Sequence, residues 1–226
     1  VLNAAIIVVS LIQVQGLANA SPGQAERSRK TPQIEVAGKS AARILELLGA
    51  KLETEATRRQ IDDYSSHFDR VDRDGDGRHS KTEYIDKGGY MTPQARRGIF
   101  NAADNDQNGF VTKAEYVLNR IITDEAKAII KGMDDDKDGA VQRQEFIEHA
   151  TDRLFTAELA RQVFAALDTD GNGEIIIPEY LRVWGKWARA GRKSAEDRIA
   201  ARQAKLGSSS DNPDSGTSLE ENGNLR

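Results

Sequence analysis

No cysteine occurs anywhere in the 226 residues, which excludes disulfides, thiolate nucleophiles, zinc–thiolate centres and iron–sulfur clusters. Aromatics are scarce, at 6%, so the core is small or divided. Methionine is scarcer still, at two residues, too few to line an adaptable binding groove. The three histidines, His67, His79 and His149, stand singly, and none belongs to an HExxH or other catalytic signature. No nucleophile motif or phosphate-binding glycine loop is present, so no enzyme is expected. A formal net charge of −4 without a large basic patch argues against nucleic acid as a partner.

Long hydrophobic runs are also missing. The most apolar stretch, residues 4 to 12, is too short to cross a membrane. With Ala18-Asn19-Ala20 after it, this stretch fits an export signal over residues 1–20, truncated at its start because Val1 stands where a methionine and basic residues belong. The expectation is a mature chain from Ser21, secreted or periplasmic, with no transmembrane segment. Residues 21–38 read as a polar linker, and residues 207–226, rich in Ser, Gly, Asn and Asp, as a disordered tail.

What is present is a repeat. Residues 72–83 read DRDGDGRHSKTE, 104–115 DNDQNGFVTKAE, 134–145 DDDKDGAVQRQE and 168–179 DTDGNGEIIIPE. All four fit D-x-[DN]-x-[DN]-G-x5-E, which average composition produces at only roughly a few per million positions. Carboxylates this close repel one another unless a cation sits among them. The spacing suits calcium, a hard ion that takes six to eight oxygens. Positions 1, 3 and 5 turn side-chain oxygens to one centre: Asp72, Asp74 and Asp76; Asp104, Asp106 and Asn108; Asp134, Asp136 and Asp138; Asp168, Asp170 and Asn172. Position 7 lends a backbone carbonyl, from Arg78, Phe110, Ala140 and Glu174. Position 12 supplies both oxygens of a long carboxylate, Glu83, Glu115, Glu145 or Glu179, which favours calcium over the smaller octahedral magnesium.

The loops are unequal. The first and third carry four acidic ligand side chains, the second and fourth three, with Asn108 and Asn172 at position 5. At position 9, Ser80, Thr112 and Gln142 support a ligand water and Ile176 does not, so the fourth loop is expected to be weaker. Position 8 pairs with its partner loop; Val111, Val141 and Ile175 suit that and His79 departs from it, either as a tolerated packing residue or as a pH-sensitive element.

Helical periodicity flanks each loop. Ile61, Tyr64, Phe68 and Val71 precede the first, Thr92-Pro93 opens the helix before the second, Thr123 the third and Thr156 the fourth. Only 18 residues separate Glu115 from Asp134, too few for a long tether. Hands one and two (60–121) should pair, as should three and four (122–190), with the pairs close together. Outside them, residues 39–60 read as an amphipathic helix with Ile44, Leu47, Leu48 and Leu52 on one face; the last helix is expected to be extended, and 191–206 reads as a charged helix. Trp184 and Trp187, followed by Arg189, Arg192 and Lys193, read as core or as a basic aromatic target segment.

These motifs resemble the EF-hand superfamily over about residues 60 to 187, in particular four-handed calmodulin-like and sarcoplasmic-type calcium-binding proteins and secreted bacterial EF-hand proteins. The resemblance implies an all-α chain of four helix–loop–helix hands in two pairs, binding up to four calcium ions. Members divide into buffers or structural proteins and sensors that open an apolar groove to a protein partner. The sparse methionine and the export signal favour calcium-dependent stabilisation or buffering, with a calcium-dependent adaptor as the alternative. Four ions would take the net charge from −4 to +4.

Overall fold

Threonine fixes where helices begin. Thr57, Thr92, Thr112 and Thr156 each stand just before a helix, in extended backbone, and each side chain accepts the N–H three residues on. Thr57 with Gln60, and Thr112 with Glu115, complete reciprocal capping boxes. In a computed structural model, which describes residues 33–153 and 156–208, these starts organise a largely helical chain. The expected signal at 1–20, most of the linker and all but two residues of the tail lie outside the described residues.

A two-residue hairpin, β1 (Glu35–Val36) with β2 (Lys39–Ser40), comes first and occupies the end of the expected linker. The single helix expected from 39 to 60 does not form. Helix α1 covers only Ala41–Leu47; Gly49 turns left-handed at φ +94°, and a 3₁₀ turn follows at Leu52–Glu55. The Glu125 carboxylate holds that turn, accepting the backbone N–H groups of Lys51 at 2.6 Å and Leu52 at 3.0 Å.

The four hands then run in order. Helix α2 (Arg58–Asp69) leads through the first loop into β3 (Arg78–Ser80) and a short π-helical turn, Thr82–Asp86. Helix α3 (Pro93–Ala103), with Pro93 in its first turn, leads to β4 (Phe110–Thr112) and α4 (Lys113–Lys131). Strand β5 (Ala140–Gln142) and α5 (Arg143–Thr151) complete the third hand. Helices α6 (Ala157–Leu167) and α7 (Ile177–Arg189) flank β6 (Glu174–Ile176) in the fourth. Helix α8 (Ala195–Ser208) follows a turn in which Gly191 has φ +66°.

β3 pairs antiparallel with β4, and β5 with β6, so the hands pair as the loop spacing predicts. Thr123, expected to open a helix, instead lies inside α4, its hydroxyl bonded back to Arg120 O at 3.2 Å. α4 therefore runs unbroken across the expected boundary at 121–122 and serves both pairs. It does not hold them apart as a dumbbell, because α2, α7 and α8 all pack along it.

Apolar burial is divided very unevenly. One cluster joins α1, α2 through Ile61, α4, α5, α6, α7 and α8, with Ile44, Leu45, Leu48, Ile122, Phe146, Phe164, Tyr180 and Trp184 fully enclosed. Trp187 is buried with them, which makes the tryptophan segment core. The other cluster is confined to the first pair: Tyr84, Ile85, Phe100, Ala103 and Val111.

Candidate metal centres

Each loop is closed by its last carboxylate. Oε1 of Glu83, Glu115, Glu145 and Glu179 accepts the N–H of loop position 2, from Arg73, Asn105 and Asp135 at 2.9 Å and from Thr169 at 2.6 Å. In the first three loops Oε2 accepts the N–H of position 9, from Ser80 and Thr112 at 2.9 Å and Gln142 at 2.8 Å. Position 12 thus ties the start of the loop to the start of the exiting helix. At the opposite end the first aspartate accepts the N–H of the position-6 glycine, from Gly77, Gly109 and Gly173 at 3.0 Å and Gly139 at 3.2 Å. Those glycines have φ between +82° and +96°, the left-handed turn the motif requires.

This folding gathers the carboxylates. Asp104, Asp106 and Glu115 bring ligand oxygens within 4.8 Å of one another, as do Asp134, Asp136 and Glu145, and Asp168, Asp170 and Glu179. In the first loop the group is Asp72, Asp74 and Asp76, and Glu83 stands outside it, held by Arg73 and by both the N–H and hydroxyl of Ser80. Asp138 is also outside its loop's group; its Oδ2 accepts from Gln142 Nε2 at 2.8 Å. Asn108 and Asn172 each accept the position-7 N–H, of Phe110 and of Glu174, at 2.8 Å. Arg78, Phe110, Ala140 and Glu174, expected to offer carbonyls, are the first residues of β3, β4, β5 and β6.

The donor sets fit a cation. Asp104 and Asp134, each at position 1, keep Oδ1 buried with no hydrogen bond, although Oδ2 of each is bonded. A buried carboxylate oxygen without a partner is costly unless a positive charge meets it. Burial raises the proton affinity of Asp104 and Glu115 above the ordinary value of each, as expected of carboxylates crowded together without a counter-charge. Glu83 is the opposite: the Ser80 backbone N–H, ahead of the Ser80 hydroxyl and the Arg73 N–H, holds it down at about 2. Glu179 is pushed up by burial, but the bonds from Thr169 outweigh this and it lies below its ordinary value.

Two features escape the sequence pattern. Arg78, read only for its carbonyl, also pairs Nε with Asp76 Oδ2 at 2.8 Å, and its guanidinium lies over the Phe110 ring. His79 keeps its strand position opposite Val111, with its ring stacked 3.9 Å from Phe68 and flanked by Tyr84 and Tyr116. Its Nε2 meets Phe68 O at 2.9 Å, and burial lowers its proton affinity, so the ring packs as a neutral aromatic.

Comparison with known proteins agrees with this geometry. Residues 97–117 match the EF hand family model, and residues 120–153 the EF-hand domain pair model. The chain is 34% identical over 89 residues to the 16 kDa calcium-binding protein of Schistosoma mansoni, covering 36% of this chain and 62% of that one. It is 36% identical over 88 residues to calcium-binding protein LPS1-beta of Lytechinus pictus, covering 37% of this chain and 36% of the relative. It thus spans less than two thirds of the length of both. Parvalbumin beta of Gadus morhua subsp. callarias is 30% identical over 102 residues, 43% of this chain and 88% of the parvalbumin. With four acidic loops, each paired to a neighbour through a short strand, and a relative matched over most of its length, this chain belongs to the EF-hand calcium-binding family.

Proposed function

We propose that each of the four loops holds one calcium ion, and that the ions stabilise or are buffered by an exported, non-catalytic protein. The ligands in this reading are the side chains at positions 1, 3, 5 and 12 and the carbonyl at position 7 of each loop. When bound, the ion supplies the positive charge that clustered carboxylates require. In the first and third loops Glu83 and Asp138, which stand outside their loops' groups, would complete the ligand set. Affinities between roughly micromolar and millimolar suit such loops. Secretion or periplasmic residence rests on the signal-like start alone.

One observation carries the choice of stabiliser over adaptor. The apolar side of the second pair is already filled by the chain itself. Ile44, Leu45 and Leu48 of α1, which packs on α7, are buried in one cluster with Trp184 and Trp187 of α7, which packs on α4 and α6. Among the described residues the exposed large hydrophobics are only Tyr90, Met91 and Ile176. No helix among the described residues is long and apolar enough to cross a membrane. A calcium titration from chelated to millimolar, followed by a dye that fluoresces on apolar surface, tests the reading. Emission falling as calcium binds supports it. Emission rising means that calcium expels α1 and opens a groove, and the adaptor role replaces it.

A further inference from the structure

The second loop differs from the other three at position 9. In the first, the Ser80 hydroxyl donates to Glu83 Oε2 at 2.7 Å, and in the third the Gln142 amide donates to Asp138 Oδ2 at 2.8 Å. Both side chains turn inward on their own loop. Ile176, in the fourth, has no polar atom to offer. Thr112 instead donates its hydroxyl outward, to Glu196 Oε1 at 2.8 Å; its contact with Glu115 Oε2 is longer, at 3.3 Å. Glu196 lies in the first turn of α8, 84 residues away in sequence.

α8 is docked, not draped. Ala195, Arg198 and Ile199 are buried, and the Arg198 guanidinium grips Glu53 through two bonds, of 2.8 and 2.5 Å. The helix thus carries Glu196 to the mouth of the loop on a fixed base. The loop it meets is short of charge, with Asn108 where the first and third loops have aspartate. It also holds Asp104, 8% exposed, with Oδ1 buried and unbonded within a carboxylate group spanning 4.8 Å. Burial raises the proton affinity of Glu115, and the negative charges of Asp106 and then Glu196 raise it further. Bringing another carboxylate to this loop is unfavourable unless a cation is shared.

We infer that Glu196 belongs to the second calcium site. Held at position 9 by Thr112, it supplies, directly or through one water, the fourth negative charge that Asn108 does not. This rests on the reading that residues 104–115 bind calcium. It also makes α8 a reporter of the ion: a helix whose carboxylate faces calcium is held more tightly when the loop is filled, and a docked α8 tightens the loop in return.

The test uses the full chain with calcium alone as probe. Calorimetric titration is combined with amide hydrogen exchange of residues 104–115 and 195–208. In the wild type, calcium should slow exchange in both segments. Glu196→Gln should weaken the second site about tenfold and uncouple α8 from calcium, since ligand charge sets affinity in these loops. Asp197→Asn removes a charge from the same turn and should change neither. Circular dichroism without calcium should match the wild type for both variants, since both residues are exposed. Equal effects of the two variants, or an unchanged calcium midpoint for residues 104–115 in Glu196→Gln, would overturn the role of Glu196 alone. A wild-type loop that stays unprotected at millimolar calcium would overturn the calcium reading of that loop along with it.

Discussion

The two pairs of hands share one motif and one strand pairing, yet they are held together by different means. The second pair lies in the larger apolar cluster, roofed by α1 and backed by α7. The separate cluster of the first pair holds five buried apolar residues, with Phe68 fully buried outside it, while Ile61, Val117 and Leu118 of its helices join the larger cluster. It relies instead on polar and aromatic devices: the Phe68–His79–Tyr84 stack, the ties on Glu83, and Arg96. The difference teaches that a hand is a frame for a metal site, not a self-sufficient fold. Where extra helices cover its apolar face, as in the second pair, it should stand without the ion. Where they do not, an ion should carry more of the stability.

The largest expected effect falls on the covered side. Trp184 is fully buried beside Tyr180, with ring centroids 5.0 Å apart. Trp184→Ala should cost about 4 kcal/mol, the usual loss for a large aromatic removed from a core. Denaturant unfolding with calcium present reads it. A loss below about 1 kcal/mol would mean that this cluster does not govern global stability.

Next comes the ion pair between Glu53 and Arg198, whose side chains are 12% and 5% exposed. Glu53→Gln leaves a buried guanidinium without its counter-charge and should cost about 3 kcal/mol. The pH dependence has a definite sign. Burial pushes the Glu53 carboxyl up, but Arg198, by bonding and charge, brings it below the ordinary 4.5. The stabilisation is therefore complete above the unfolded value and fades as pH falls through the depressed folded one. Acid unfolding of Glu53→Gln should lack that limb. An unchanged acid profile would place the pair's contribution elsewhere.

Calcium removal probes the comparison directly. Each site filled at a hundred times its Kd adds about 2.7 kcal/mol. Amides of Ile85, Phe100 and Val111 should lose nearly all their protection on chelation, while those of Ile122 and Phe164 keep most of theirs. Equal losses in both sets would show that the two pairs melt together, as one cooperative unit.

Much of this was legible in the sequence because the metal motif fixes residue types at every ligand position. The four loops, their pairing and the threonine starts at 92 and 156 follow from local chemistry that tertiary packing leaves alone. The helix expected over 39–60 failed because its break depends on Glu125, some 73 residues away, taking two backbone N–H groups. Thr123 misled for a related reason. A capping residue and a helical interior residue look alike until the preceding turn is known, and here α4 simply continues. Glu196 and Arg198 lie outside any motif; only the docking of α8 gives them partners.

The smallest effect tests how the first pair compensates for its thin core. After the π-helical turn at Thr82–Asp86 the chain has two glycines, and a Cβ at Gly88 would lie 2.5 Å from Tyr84 O. That leaves no side chain to pack. Arg96, 6% exposed, reaches across from α3 and bonds Ile85 O, Tyr90 O and Met91 O at 2.7, 2.8 and 2.7 Å. It ends the first hand as a polar clamp, where the second pair uses apolar contact. Arg96→Met keeps much of the stem but surrenders all three bonds. Part of that loss is recovered because Tyr90 and Met91 are exposed and their carbonyls have water within reach. The expected cost is about 1–2 kcal/mol, confined to the first pair. Limited proteolysis at residues 87–91 should quicken, while the protection of Ile122 and Phe164 stays as it was. Should the second pair loosen as well, α4 transmits the change, and the contrast between the pairs is one of degree.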